Sequence, residues 1–411
     1  MGQVFRGPGA PRRFCRGPLA AYIDGFATHL SEQGYARSTA KEQLRLVAQL
    51  SRWLERRRLE GDDFDEPRIG EFLQYRRRHG LAPRSNDVVL KFLLTHLRNA
   101  GVVRSPLPAI GHSALHVIER GYTEYLAQER GLSAVTLANY LPLVRKFLCK
   151  RFGTGSIELT ALHPAEISRF ILWYAERYSR SRAKLLVTAL RSFLRFLHVR
   201  GEIGADLGAA VPSVANWRLS TLPKSITPGE VRRLLRGCDQ STVTGRRDYA
   251  ILLLLARLGL RAGEVVSLTL DDLDWQAGEI TVRGKGSRHD RLPLPPDLGE
   301  ALAAYLREGR PSCSTRRVFI RTRAPRQGFA TSVAVSTVVR RALERVGLDP
   351  ALKGAHLLRH SLATDMLHKG ASLAEIGEIL RHRQPQTTQI YAKVDLRALR
   401  ALAQPWPRGA L

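Results

Sequence analysis

The sequence predicts a multidomain, mainly α fold, in which helical domains are followed by a mixed α+β domain with a small antiparallel sheet. Three observations lead to this prediction. The chain has 411 residues, a length typical of about two or three domains. Apolar residues recur at three- and four-residue spacing through most of the chain, with arginine and lysine between them. One stretch near residue 280 instead alternates apolar and polar residues, which is the pattern of a half-buried strand.

The composition points to a polyanionic partner. Hydrophobic residues make up 44% of the chain, which is enough for buried cores and excludes wholesale disorder. Lysine and arginine number 65 against 37 acidic residues, so the net charge is +28 and the pI is about 10.9. A charge of this size predicts binding to nucleic acid or to an anionic membrane surface.

Neither a membrane span nor a metal or disulfide framework is expected. The longest uninterrupted apolar run, 249–256, is far shorter than the roughly 20 residues that a membrane helix needs. The cysteines lie far apart and have neither zinc-site nor disulfide spacing; they are Cys15, Cys149, Cys238 and Cys313. We therefore expect a protein of the reducing cytoplasm with no membrane partner.

Composition shifts along the chain predict its domain limits. The first residues are basic and rich in glycine and proline, without the apolar core of a secretory signal. The periodic apolar pattern breaks once more after residue 211, where two prolines occur. We expect a flexible basic arm (1–18), a first helical module (19–104), a second helical domain (113–211), a linker (212–224) and a mixed α+β domain (225–411).

The two helical regions resemble each other. The segment that starts at Gly131 repeats the pattern of the one at Gly34, 97 residues earlier, and the pattern that ends at Gly201 repeats the one at Gly101. This self-similarity predicts a duplicated module. The alternative is that any two amphipathic helical bundles align this well.

Capping and alternation signals predict the elements of the last domain. Thr227, followed by proline and by Glu230 at the third helical position, predicts a helix start. The apolar stretch 248–257 predicts a buried helix that ends at a glycine. Alternation over 279–294 predicts a β-hairpin, and 317–321 predicts a third strand.

Four short motifs in this domain each place a cationic or imidazole side chain beside a turn or a helix end. They are Gly-Leu-Arg-Ala-Gly-Glu (259–264), Gly-Lys-Gly-Ser (284–287), His-Leu-Leu-Arg-His (356–360) and the segment 380–391. In order and spacing they resemble the tyrosine recombinase (phage integrase) family. That family has an arginine in Gly-Leu-Arg-x-x-Glu, a lysine on a hairpin turn, a His-x-x-Arg pair, and a histidine nine residues before the nucleophilic tyrosine. The resemblance covers about residues 113–400.

The resemblance implies helical, SAM-like core-binding domains and a catalytic domain that together form a C-shaped clamp on DNA. It implies site-specific cleavage and rejoining of DNA, as recombination or integration, through a covalent 3′-phosphotyrosyl intermediate, without metal, ATP or other cofactor. The implied partners are double-stranded DNA with specific recombination sites, further copies of the chain in a tetramer on synapsed DNA, and companion recombinases. The implied catalytic residues are Arg261, Lys285, His356, Arg359, His382 and Tyr391, with Glu264 orienting Arg261.

The chemistry of phosphodiester cleavage explains these residue types. Guanidinium groups such as those of Arg261 and Arg359 neutralise charge that develops on the phosphate oxygens. The phenol of Tyr391 needs a base to attack at neutral pH, and His356 is a suitable one. Lys285, on a hairpin tip, is a suitable general acid for the departing 5′ oxygen. The resemblance gives His382 a hydrogen bond to the scissile phosphate.

Each residue also has an ordinary interpretation. Most arginines in so basic a chain are solvated or touch phosphate. His356 and His360 have the spacing of a helical zinc pair, but no third ligand is evident, so His360 is interpreted as structural.

The chain also departs from the family pattern at two positions. Arg381 stands where glycine usually precedes the histidine and can crowd or re-aim His382, and Gly263 replaces a common serine.

The sequence is also compatible with two other functions. A type IB topoisomerase uses similar chemistry on one duplex, and a DNA-binding regulator can retain the fold without catalysis. The module 19–104 can bind DNA or protein.

The tail from Tyr391 to Pro407 resembles recombinases of bacterial transposable elements. Leu396, Leu399 and Leu402 predict a short amphipathic helix in this tail.

Overall fold

The computed structural model describes residues 16–80, 86–104, 113–153, 155–214, 222–284, 289–395 and 399–400. Contacts between residues divide the chain into two compact units, one of residues 105–220 and the other of residues 1–104 and 221–411. Most of the predicted basic arm, the centre of the predicted linker and most of the predicted tail helix lie outside the described residues. The domain limits given above stay a prediction.

Among the described residues, four α-helices form the first group in the chain. They are α1 (Ile23–Glu32), α2 (Arg37–Arg56), α3 (Glu66–Arg78) and α4 (Asn86–Asn99). α2 is amphipathic, and its apolar face, which includes Leu44 and Leu54, is fully buried among the other helices. α3 begins where the Asp65 carboxylate accepts the Arg68 N–H at 2.9 Å, as expected of a helix N-cap.

The described residues of the unit 105–220 contain four further α-helices with their own apolar core. They are α5 (Ala114–Glu124), α6 (Ala134–Phe152), α7 (Pro164–Arg177) and α8 (Arg180–Val199). α8 is the central helix of this core, since Leu190, Phe193 and Leu194 are all fully buried. Tyr122 is buried against it and donates its hydroxyl to the Ala189 carbonyl at 3.3 Å.

The two helical groups correspond in their helix boundaries. α2 and α6 begin 97 residues apart, and α4 and α8 end 100 residues apart, as the sequence offsets predict. Gly101 and Gly201 both have φ +73°, a left-handed conformation in which glycine is favoured. The boundaries agree with a duplicated module, whose common origin stays a prediction.

The mixed domain contains seven helices among its described residues. They are α9 (Pro228–Arg236), α10 (Val243–Arg257), α11 (Ala262–Ser267), α12 (Pro296–Ala304), α13 (Ser332–Arg345), α14 (Ala355–His368) and α15 (Leu373–Ile379). The predicted start of α9 is confirmed, because Thr227 and Glu230 form a reciprocal capping box. α10 starts earlier than the predicted residue 248, because the Thr242 hydroxyl caps it by accepting the Gly245 N–H at 3.0 Å.

A three-stranded antiparallel sheet lies within this domain. It comprises β1 (Leu273–Asp274), β2 (Glu279–Arg283) and β3 (His289–Pro293), in the order β1-β2-β3. Ile280 of β2 faces Leu273 on one side and Leu292 on the other. Both strands of the predicted hairpin are therefore confirmed, and its tip, 285–288, lies outside the described residues.

The prediction of a third strand at 317–321 is wrong. This segment forms only single bridges, between Thr269 and Arg317 and between Ile320 and Gly328. The reason is that its apolar residues are buried one after another, without an exposed face, so the run reflects core packing instead of strand pairing.

The predicted fold class is confirmed: the described chain is mainly α, with one small antiparallel sheet. The largest apolar core of the mixed domain is built around α10, whose residues Ile251, Leu252 and Leu254 are fully buried. No helix among the described residues is long and apolar enough to cross a bilayer.

Candidate active site

Arg261 directly precedes α11 and is held there by Glu264. Its backbone N–H donates to Oε2 of Glu264 at 2.8 Å, and its Nη1 donates to Oε1 at 2.8 Å. Gly259 turns the chain just before it at φ +57°, and a Cβ at this position would lie 2.6 Å from the Leu380 side chain. The motif 259–264 therefore builds a turn, a helix cap and an oriented guanidinium.

Arg359 lies on α14 and is only 4% exposed. Its guanidinium donates hydrogen bonds to the carbonyl oxygens of Gly259 and Leu380. These carbonyls each lie two residues before a predicted catalytic residue, Arg261 in one segment and His382 in the other. One buried side chain thus joins two segments that are far apart in the sequence.

The cationic groups of the site repel one another, and this repulsion lowers the pKa values of Arg359 and His356. Burial is the main reason why the pKa of Arg359 falls to about 10, and the charges of Arg261 and Arg381 lower it further. Burial also lowers the pKa of His356, on the same helix, and Arg359 and Arg261 add to this effect. An anion among these groups relieves both the desolvation and the repulsion. The arrangement therefore suits a phosphodiester.

Arg381, which departs from the family pattern, has φ +55°, in the region that favours glycine. Its Nη2 donates to Oε2 of Glu264 at 2.8 Å, and its Nε lies 3.7 Å from Oδ2 of Asp290 on β3. Its side chain is therefore held between two carboxylates. His382 has a separate partner, since its Nδ1 lies 2.7 Å from the Thr388 hydroxyl.

His382 is uncharged at neutral pH. Burial lowers its pKa to about 4, and the nearby charges of Arg359 and Arg261 act in the same direction. A neutral imidazole keeps one N–H donor and one acceptor. His382 can therefore donate one hydrogen bond to a phosphate oxygen while the Thr388 hydroxyl fixes the orientation of its ring.

Tyr391 lies in the short 3-10 turn Gln389–Val394 and is 1% exposed. It packs in a small apolar cluster with Leu367, Ile376 and Leu380. Burial raises the pKa of its phenol to about 12, although Arg359 acts in the opposite direction. In this state the phenol is therefore neutral and inaccessible to solvent.

The phenol of Tyr391 contacts His360, the histidine that we interpreted from the sequence as structural. Nδ1 of His360 lies 2.8 Å from the phenol oxygen. Burial, together with the neighbouring His356 and Arg359, lowers the pKa of His360 to about 4, so this imidazole is neutral. The ring centres of His356 and His360 are 6.2 Å apart. His356 is therefore next to the histidine that contacts the Tyr391 phenol.

The structure brings together five of the six predicted catalytic residues. The sixth, Lys285, lies outside the described residues and falls between β2 and β3 in the sequence. β3 is itself linked to the site, because Asp290 pairs with Arg381. No group of three or more histidine, cysteine, aspartate or glutamate side chains is placed to hold a metal ion in the described part of the chain.

Comparisons with known proteins identify the family of this chain. The model of the Phage integrase family matches residues 224–397, and the model of the Phage integrase, N-terminal SAM-like domain matches residues 120–201. The chain is 46% identical to the putative integrase/recombinase y4rA of Sinorhizobium fredii, over 96% of each protein. It is 33% identical to the tyrosine recombinase XerD of Mycobacterium tuberculosis, over 68% of this chain and 94% of the relative.

The chain belongs to the phage integrase family of tyrosine recombinases. In fold, this tyrosine recombinase is similar to the crystal structure of XerH site-specific recombinase bound to palindromic difH substrate in a post-cleavage complex. The TM-score is 0.55 at 20% identity, over 82% of this chain and 94% of that one. The family and enzyme class predicted from the four motifs are thus confirmed.

Proposed function

We propose that this tyrosine recombinase cleaves and rejoins duplex DNA at specific sites through a covalent 3′-phosphotyrosyl intermediate on Tyr391. The observation that carries the proposal is the position of Arg359. Its guanidinium bonds to the carbonyls of Gly259 and Leu380 and thereby holds the segments of Arg261 and His382 together. This contact supports a common site in which groups from three distant segments bind one anion.

In the proposed cleavage step, the phenol oxygen of Tyr391 forms a bond to the scissile phosphorus, and the bond from phosphorus to the 5′ oxygen breaks. His360, as a neutral imidazole beside the phenol, accepts the phenol proton. Lys285 gives a proton to the departing 5′ oxygen. The phosphotyrosyl bond retains the phosphoester, so attack by a 5′ hydroxyl rejoins the strand without ATP.

The remaining groups stabilise charge on the phosphate. Arg261 and Arg359 neutralise its non-bridging oxygens, and His356 and His382 donate N–H groups to it. Glu264 orients Arg261. We assign the base to His360 instead of the sequence-predicted His356, because His360 is the histidine within hydrogen-bond distance of the phenol.

The domain roles that we propose follow the predicted limits. The helical domain 113–211 and the catalytic domain 225–411 close on DNA as a C-shaped clamp, and the linker 212–224 permits the closure. The module 19–104 adds a DNA- or partner-binding surface. The active form is a tetramer on two synapsed sites, assembled with companion recombinases where the element uses them. Its place of action is the nucleoid in the bacterial cytoplasm.

The test is covalent capture on a duplex that carries a nick beside the cleavage site. The short 5′ fragment diffuses away after cleavage, so the phosphotyrosyl product accumulates. We expect the wild type to form this product in EDTA without nucleotide, and Tyr391→Phe to form none while binding DNA almost normally. Tyr249→Phe, a half-buried tyrosine of α10, is the matched control and should react like the wild type. A wild type without covalent product favours the DNA-binding regulator.

A second assay separates recombination from topoisomerase activity. Both activities form the covalent intermediate, but only a recombinase exchanges strands between two sites. On a supercoiled plasmid with two sites, we expect resolved circles in addition to any relaxed plasmid. Relaxation without resolved circles favours the type IB topoisomerase.

A further inference from the structure

Arg381 is a charged residue in a backbone conformation that suits glycine. Among the described non-glycine residues, only Arg381 and Arg58 have a positive φ, of 55° and 57°. Conformations that side chains rarely adopt persist where the surroundings hold them. The contacts of the Arg381 side chain therefore indicate what this departure from the family pattern accomplishes.

The side chain of Arg381 is buried between two carboxylates. It is 8% exposed, and its partner Glu264 is 5% exposed. Its Nη2 donates to Glu264 at 2.8 Å, while its Nε lies 3.7 Å from the Asp290 carboxylate. A buried guanidinium is destabilising unless carboxylates or other acceptors pair with it. Glu264 accepts the one hydrogen bond of this guanidinium, from Nη2, while the buried Nε and Nη1 make none among the described residues. The contact with Glu264 therefore holds the side chain in place.

Glu264 is shared between two arginines. Its Oε1 accepts Nη1 of Arg261, and its Oε2 accepts the backbone N–H of Arg261 and Nη2 of Arg381. Arg381 also contacts Arg261 directly, because its carbonyl oxygen accepts Nη2 of Arg261 at 3.2 Å. Arg381 thus acts on Arg261 through both its main chain and the shared carboxylate.

The shared Glu264 carboxylate affects how Arg261 can act on phosphate. When a carboxylate pairs with a single guanidinium, it offsets the positive charge of that guanidinium and so weakens the attraction between the guanidinium and phosphate. Arg381 shares Glu264 with Arg261, but Asp290 lies beside Arg381 as well, so the two arginines and two carboxylates carry no net charge. The effect of Arg381 on Arg261 is therefore one of orientation. We infer that Arg381 is a positioning residue, which holds Glu264 and thereby keeps the Arg261 guanidinium oriented for the scissile phosphate. This inference rests on the proposed function.

The test is single-turnover cleavage of the nicked duplex at saturating enzyme. In Arg381→Gly the backbone conformation is retained and the side-chain contacts are lost. We expect cleavage to slow about tenfold or more, the scale of a misplaced catalytic group, with DNA affinity changed less than about twofold. Arg381→Lys keeps the charge but lacks the planar fork, so its rate should be intermediate. Arg58→Gly, which relieves the same backbone conformation on an exposed residue in the turn after α2, should react at the wild-type rate.

A double variant distinguishes positioning from a general loss of structure. If Arg381 acts through Arg261, then Arg261→Ala with Arg381→Gly should be no slower than Arg261→Ala alone. Defects that multiply would overturn the inference, as would an Arg381→Gly protein that cleaves at the wild-type rate. A wild type that forms no covalent product overturns the proposed function, and this inference falls with it.

Discussion

The phenol oxygen of Tyr391 lies 2.8 Å from Nδ1 of His360, and Tyr391 is 1% exposed. Burial raises the pKa of the phenol to about 12 and lowers that of the imidazole to about 4. Both groups are thus neutral across the physiological range, with a proton acceptor already beside the nucleophile. Attack on DNA therefore requires transfer of one proton over one hydrogen bond, and exposure of the phenol.

His360→Ala should slow single-turnover cleavage by about 10²-fold at pH 7, the lower end of what a general base contributes. Without the base, the reaction depends on the phenolate fraction, which rises tenfold per pH unit. The defect relative to wild type should therefore shrink between pH 7 and pH 9. His360→Asn, which keeps an acceptor near Nδ1, should retain more activity than His360→Ala.

His356→Ala is the comparison variant for this prediction. If His356 donates to phosphate, its loss lowers the rate by a factor that does not change with pH. If the defect of His360→Ala does not change with pH and that of His356→Ala does, the general base is His356, as the sequence predicts.

Local signals explain why much of this domain was predictable. The Thr227 capping box, the hairpin strands and the Gly259 turn each depend on a few adjacent residues, and each is present in the structure. The four motifs also indicate which residues are candidates for catalysis, because each candidate occupies a defined position in a short motif. These features share one property, which is that the determining contacts lie within a short stretch of chain.

Contacts between distant segments were not predictable in the same way. Tyr391 and His360 are 31 residues apart and meet only because the turn after α15 packs on α14. The pairing of Arg381 with Glu264 spans 117 residues. The sequence marked Arg381 as unusual, but a carboxylate partner so far away leaves no periodic pattern. Apolar residues in succession, as in the segment 317–321, fit either a strand or a buried core segment, so the sequence does not distinguish the two.

Lys285→Ala should be rescued by a substrate whose leaving group is a 5′ thiol. A thiolate leaves without protonation, so a missing general acid matters little. On the oxygen substrate we expect a loss of about 10²-fold or more in single-turnover cleavage, and on the sulfur substrate a rate within a few-fold of wild type. Lys369→Ala, an exposed lysine after α14, is the matched control and should leave both rates unchanged. Equal defects on oxygen and sulfur would remove Lys285 from the acid role.

The two histidines with strongly lowered pKa predict acid sensitivity of the folded chain. His360 and His382 have pKa values of about 4 when folded and about 6.5 when unfolded. As the pH falls below 6.5, the unfolded chain binds protons that the folded chain does not, so stability present above pH 6.5 is lost toward pH 4. Each histidine contributes a slope of up to about 1.4 kcal/mol per pH unit.

Urea unfolding of the full chain between pH 7 and pH 4 measures this slope. His360→Asn with His382→Asn should flatten the dependence of the unfolding free energy on pH, while His368→Asn, an exposed histidine at the end of α14, should not. An unchanged slope in the double variant would assign the acid sensitivity to other groups, such as paired carboxylates.

The last prediction concerns a stripe of cations on α2, in the first helical module. Lys41, Arg45, Arg52 and Arg56 recur at spacings of four, seven and four residues, which places them on one face of the helix, and all four are exposed. A one-sided basic stripe on a helix is typical of a phosphate-contacting surface. We therefore expect this face to bind the DNA backbone.

Replacing Lys41, Arg45 and Arg52 with glutamine should make the salt dependence of DNA binding shallower. Each neutralised phosphate contributes about −0.9 to the slope of log affinity against log salt concentration, so three lost contacts change it by up to about 2.7. Replacing Arg58, Arg77 and Arg78 removes the same charge from other exposed positions of the module and should change the slope less. Nuclease footprinting should show the protected region shorten only in the α2 variant, while its melting temperature stays unchanged. Identical slopes and footprints in both variants and the wild type would instead assign the module to protein contacts.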